Sequence, residues 1–134
     1  TTMGMYTELV LNVTIKRDAP ADVIRTLSEM AMGSGVTTPA VGHPFFKTDR
    51  WSFMLAYRSF YFIPIASTRF EKVQSNYYLS VRCDLKNYSS EIELFIEWLT
   101  PFIDAMDGDF LGYKRCEEDD KPSLLYHPNI WAPA

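Results

Sequence analysis

Four arginines, Arg50, Arg58, Arg69 and Arg82, are interleaved with Trp51, Phe53, Tyr57, Phe60, Tyr61, Phe62, Phe70, Tyr77 and Tyr78 in the middle of this chain. A guanidinium fork pairs bidentately with phosphate or carboxylate, and an aromatic ring stacks on a nucleobase. The combination suits a nucleotide or a short single-stranded segment. Arg50, Arg58 and Arg69 are the expected anion-facing groups, and Tyr57 and Tyr61 the expected stacking or contact groups, because tyrosine marks surfaces with one wet end. The competing reading is an aromatic core face backed by a solvated arginine face. Either reading needs strands, which send successive side chains to opposite faces.

The remaining reactive residue types do not assemble into a catalytic set. His43 and His127 are the only histidines, and a metal site would require them to converge with carboxylates such as Asp49, at no recognisable ligand spacing. No metal or other cofactor is expected. The acidic run from Glu117 to Asp120 lacks the alternating ligands and central glycine of a calcium loop and reads as a solvated turn. Cys83 follows Arg82 and Cys116 follows Arg115, but strand neighbours point apart, so both are expected to be packed thiols rather than activated nucleophiles. Gly33-Ser34-Gly35 comes after a helical stripe, as a stop signal does, rather than before one, as a phosphate cradle does. A non-enzymatic protein is the expectation.

With 134 residues, 47% of them hydrophobic, the chain is expected to form one domain around one core. Its net charge of -4 argues against a duplex nucleic-acid partner, which is held by basic surface. Two cysteines make no disulfide framework, and no apolar run reaches the roughly 18 residues of a membrane span. A cytoplasmic protein is expected. Residues 1–4 read as a cloning remnant ahead of a start at Met5.

Residues 7–16 alternate strictly, with Leu9, Leu11, Val13 and Ile15 on one face. Asp18 before Pro20 signals a helix start, Val23, Ile24, Leu27 and Met30 form its stripe, and Gly33 stops it. Residues 33–48 lack periodicity and read as a long loop. Three strands are expected in the middle, over 50–57, over 60–71 with an interruption near Pro64, and over 77–84 after a turn at Gln74-Ser75-Asn76. Ser90 and Glu93 fit a capping box, and Ile92, Phe95, Ile96 and Leu99 form the buried stripe of a second helix that Pro101 should split. Strands over 109–117 and 123–127 follow, then an irregular tail from residue 128. The fold class is α+β, in the order β-α-β-β-β-α-β-β, with a largely antiparallel sheet of five or six strands and two helices on one face. The predicted core joins Leu9, Leu11, Val13 and Ile15 to Val23, Leu27, Phe95, Ile96 and Leu99.

Met5-Tyr6-Thr7-Glu8-Leu9, Phe46-Lys47-Thr48-Asp49-Arg50-Trp51, Leu85-Lys86-Asn87-Tyr88 with Glu91-Ile92-Glu93, and Leu111-Gly112-Tyr113 with Glu117-Glu118 together resemble a family of small phage and prophage proteins of uncharacterised function. The resemblance implies an accessory protein acting inside a bacterial host. The leading expectation is therefore a protein that binds and occludes a host component, either a nucleotide-like immune signal or a host protein. A small nucleotide hydrolase using Asp49, His43 and an arginine is one alternative, and a virion or assembly component is another. The aromatic surplus also leads us to expect self-association, as a symmetric dimer.

Overall fold

The central strand explains the rest of the architecture. In β1 (Thr7–Ile15) the residues Leu9, Leu11, Val13 and Ile15 are all buried, as strict alternation requires of a half-buried strand. We describe here a computed structural model, covering residues 5–33, 42–57 and 67–134. Around β1 are arranged α1 (Ala21–Met32), β2 (Arg69–Val73), β3 (Asn76–Leu85), α2 (Glu91–Leu99), β4 (Phe110–Cys116), β5 (Ser123–Tyr126) and β6 (Ile130–Pro133). All six strands form one antiparallel sheet in the order β2-β3-β1-β4-β5-β6. The class is α+β, as the sequence predicts.

Opposed residues of antiparallel neighbours share a face. The register pairs Leu9 with Cys83, Leu11 with Val81 and Val13 with Leu79, and all six are buried. Val23, Leu27 and Met30 of α1 and Ile92, Phe95, Ile96 and Leu99 of α2 join the same core. Both helices therefore pack on one sheet face, and every residue of the predicted core lies in it.

The helix ends follow different chemistry from the sequence signals. α1 starts at Pro20, whose φ of -56° and ψ of 147° turn the chain into the helix, and no side chain caps it; the expected Asp18 cap is not used. Its other end matches expectation, with Gly33 at φ 71° donating its N–H to Met30 O. At α2, Ser90 has the left-handed φ of 58° and its hydroxyl makes no cap. Asn87 takes that role: its Oδ1 accepts from Ile92 N–H at 2.8 Å, and its Nδ2 donates to Glu93 Oε1 at 2.8 Å. Pro101 separates a short 3-10 turn, Thr100–Phe102, from the helix, as expected.

Two segments differ from the expected strands. Residues 50–57 form turns and a 3-10 turn at Met54–Ala56. Met54 and Leu55 are both fully buried, and a strand cannot bury adjacent side chains on one face. Trp51 instead joins an aromatic cluster with Phe45, Phe46 and Trp98, its ring centroid 4.9 Å from that of Phe46. Of the expected 60–71 strand, residues 60–66 lie outside the described residues, and β2 begins at Arg69. The turn after β2 falls where expected, with Gln74 at φ 57° and Val73 paired with Asn76. The expected irregular tail contains β6: Tyr126 pairs with Ile130 and Leu125 with Trp131. Four residues, one of them proline, are too few for alternation to declare itself. Residues 1–4 lie outside the described residues.

Candidate functional site

Of the five residues expected to bind ligand, the three described ones, Arg50, Tyr57 and Arg69, each have different partners in the fold. Arg50 reaches across to the first residue of α2, where its guanidinium lies 3.1 Å from Glu91 Oε2 and 5.3 Å from the Tyr88 ring centre. Glu91 is fully buried and also accepts from Ser89 N–H at 3.0 Å. Arg50 thus neutralises a buried carboxylate and ties the preceding loop to α2. Tyr57 lies at the edge of β3, where its carbonyl accepts from Asp84 N–H at 3.0 Å and its ring packs on Tyr6 and Phe53. Arg69 is exposed on the edge strand and pairs with Glu71. Arg58 and Tyr61 lie outside the described residues.

The histidines and cysteines have local partners. His43 Nδ1 accepts from Phe45 N–H at 3.1 Å, which leaves the ring proton on Nε2, 3.8 Å from Glu97 Oε1. Asp49 lies beside Ser89 Oγ, and His127 Nδ1 is 3.4 Å from Asp107 Oδ1. Among the described residues, no three His, Cys, Asp or Glu side chains converge as a metal site. Complete burial, with Asp84 beside it, holds the Cys83 thiol well above its ordinary pKa. Cys83 is therefore expected to resist a thiol reagent in the native state, whereas half-buried Cys116 should react first. Mass mapping after timed labelling measures this; equal modification of the two thiols without denaturant would contradict it.

The sheet face away from the helices carries a charge network that sequence reading missed. Glu8 opposes both Asp84 and Arg115 in the register, so these side chains share this face with Arg82 and Tyr113. Arg82 lies 3.0 Å from Glu8 Oε2 and 2.9 Å from Asp84 Oδ1, and Arg115 Nε lies 3.7 Å from Glu8 Oε1. Glu8 and Asp84 are buried. Burial first, then the charge of Glu8, raises the Tyr113 phenol above its usual pKa, and the phenol hydrogen-bonds Glu8. The available signal was Arg82 and Asp84 at a two-residue spacing, opposite a glutamate on the polar face of β1. The charges balance, so the network is a brace rather than an anion trap.

Among the described residues, nothing covers the other end of this face. Asn12, Tyr78 and Ser80 are exposed, and Ser80 Oγ bonds Asn12 Oδ1 at 2.8 Å. Pairing of β1 with β4 stops at Leu11 and Gly112, and the β4–β5 register shifts between Phe110 and Gly112. Ile103 replaces β4 beside Ile15, with Asp104 N–H donating to Thr14 O at 2.8 Å. Two shallow depressions result, sharing Asn12, Val13 and Thr14. One, of about 260 Å³, is bounded by Tyr78 and Ser80; the other, of about 270 Å³, by Asp104, Asp109 and Phe110. Tyr78, 42% exposed, and Phe110, 57%, border them; Met106, 77%, belongs to the loop that carries Asp104 and Asp109, and Ile130, 54%, is also exposed. Phe110 opposes Tyr126, which opposes Ile130, and the two rings are 5.7 Å apart.

Such a surface can bind through apolar contact and hydrogen bonds. The serine hydroxyl in the depression, Ser80 Oγ, is bonded to an amide oxygen rather than to a base, so it is not set up as a nucleophile. No helix among the described residues is long and apolar enough to cross a membrane. Comparison of the chain with protein-family models, with curated proteins and with solved structures finds no match.

Proposed function

We propose that the protein acts by binding rather than by chemistry, and that the open end of its helix-free sheet face is the contact surface for another protein. The observation that carries this reading is the placing of Tyr78 and Phe110, both exposed, on the borders of depressions floored by β1, with exposed Ile130 in line with Phe110 through Tyr126. Contiguous exposed apolar surface rimmed by polar groups marks interaction sites. Taken with the resemblance to phage proteins, the partner is a host component that the protein occludes inside the bacterium.

A protein partner fits this surface better than a nucleotide-like signal does. Phosphate recognition uses guanidinium groups free to donate to it. Of the described arginines, Arg25, Arg50, Arg69, Arg82 and Arg115 each face a carboxylate of the chain itself, which a phosphate would have to displace, and Arg17 donates to the amide oxygen of Asn76. A photo-reactive residue at position 110, introduced into the protein made in bacterial cells, tests the reading. The expected result is a covalent adduct to a second polypeptide, absent when the same group replaces Glu29 on α1. Adducts only to a second copy of the chain would make it a self-assembling component. Release of a bound nucleotide on heating, without adducts at position 110, would overturn the proposal.

A further inference from the structure

We infer that the segment docking on this face is basic, presenting lysine or arginine side chains beside apolar ones. The inference rests on the binding reading above and adds the chemistry of the partner. Between Pro101 and Tyr113 the chain carries Asp104, Asp107 and Asp109, all exposed, and neither lysine nor arginine. Asp104 and Asp109 line the depression that Phe110 borders, and Met106 projects from the same loop. The 104–110 side of the surface is thus apolar and anionic at once, while of the cations nearby Arg69, opposite Ser80, is paired with Glu71 and Lys16 stands at the end of β1. An anionic rim repels acidic segments and steers cationic ones, while apolar area beneath the rim supplies affinity.

The same charges decide against a second copy of this chain as the occupant. A two-fold contact sets a patch against itself, which here would bring the aspartates of both copies together at the cost of like-charge repulsion. A basic segment removes that repulsion and leaves Phe110 and Ile130 to cover its apolar side chains.

The test uses the whole protein and a fluorescent peptide of alternating arginine and leucine, with a glutamate–leucine peptide as control. Fluorescence anisotropy is expected to show binding of the arginine peptide alone, weakening as salt is added. The Asp104→Asn/Asp107→Asn double variant should bind about tenfold more weakly; Asp109 is left in place because its Oδ2 accepts from Met106 N–H at 2.9 Å. Equal binding of the two peptides, or an unchanged double variant, would overturn the inference. Cross-linking from position 110 separates the two levels. If Ile130→Ser abolishes the cellular adduct and the aspartate variant does not, the face is correct and the basic occupant is wrong. If neither change affects it, the proposed contact surface fails as well.

Discussion

Gly112→Ala is expected to cost about 3–5 kcal/mol, a large part of the roughly 5–15 kcal/mol that holds a domain of this size together. A Cβ at this position would lie 2.0 Å from the carbonyl oxygen of Val10 and 2.9 Å from Leu11 Cα. Both are backbone atoms of β1, so no side-chain rotation relieves the clash, and the φ of 157° lies where L-residues are rare. The neighbouring strand would have to back away from β1 and give up its pairing there. Gly108→Ala is the matched control: its φ is 93°, but nothing lies within 4 Å of the added methyl. It should lose only the conformational term, about 1 kcal/mol. Urea midpoints compare the two directly, and equal losses would show that the close approach of β1 and β4 contributes nothing.

Arg82→Met should cost a similar amount, about 3–5 kcal/mol, because breaking a buried ion pair from one side leaves the other side's charge behind. Here one guanidinium serves two buried carboxylates, those of Glu8 and Asp84. Adding Glu8→Gln to the methionine variant is expected to return part of the loss, since it removes one of the stranded charges. Chemical denaturation of the single and double variants gives the coupling. A loss under about 1 kcal/mol for Arg82→Met would place the network among ordinary surface ion pairs.

Much of the frame was legible in the sequence because it rests on periodicity. Leu9, Leu11, Val13 and Ile15 declared the face of β1, and Ile92, Phe95, Ile96 and Leu99 that of α2, since each pattern repeats long enough to have one reading. Residues 50–57 misled because aromatic, β-prone composition imitates a strand, whereas the segment folds by burying Met54 and Leu55 side by side. The candidate site was harder to read. Glu8 and Arg82 meet only through the β1–β3 register, and Phe110 borders a depression beside Asn12 only because β4 pairs with β1 from Gly112 onward and not before it. Arg50 and Arg69 were named from composition, and their carboxylate partners, Glu91 and Glu71, belong to the fold rather than to a ligand.

The two outermost strands of the sheet set how anything can approach it. β2 spans five residues and includes Lys72, and β6 spans four and ends in Pro133. Short edges bearing a lysine or a proline are poor templates for another strand. The sheet is therefore a weak seed for fibrous growth even though no described helix covers one of its broad sides, and recognition by strand addition is disfavoured at both margins. Association is directed to the broad side, where side chains rather than backbone groups choose the partner, so substitutions there can change what is recognised while leaving the hydrogen-bonded frame intact.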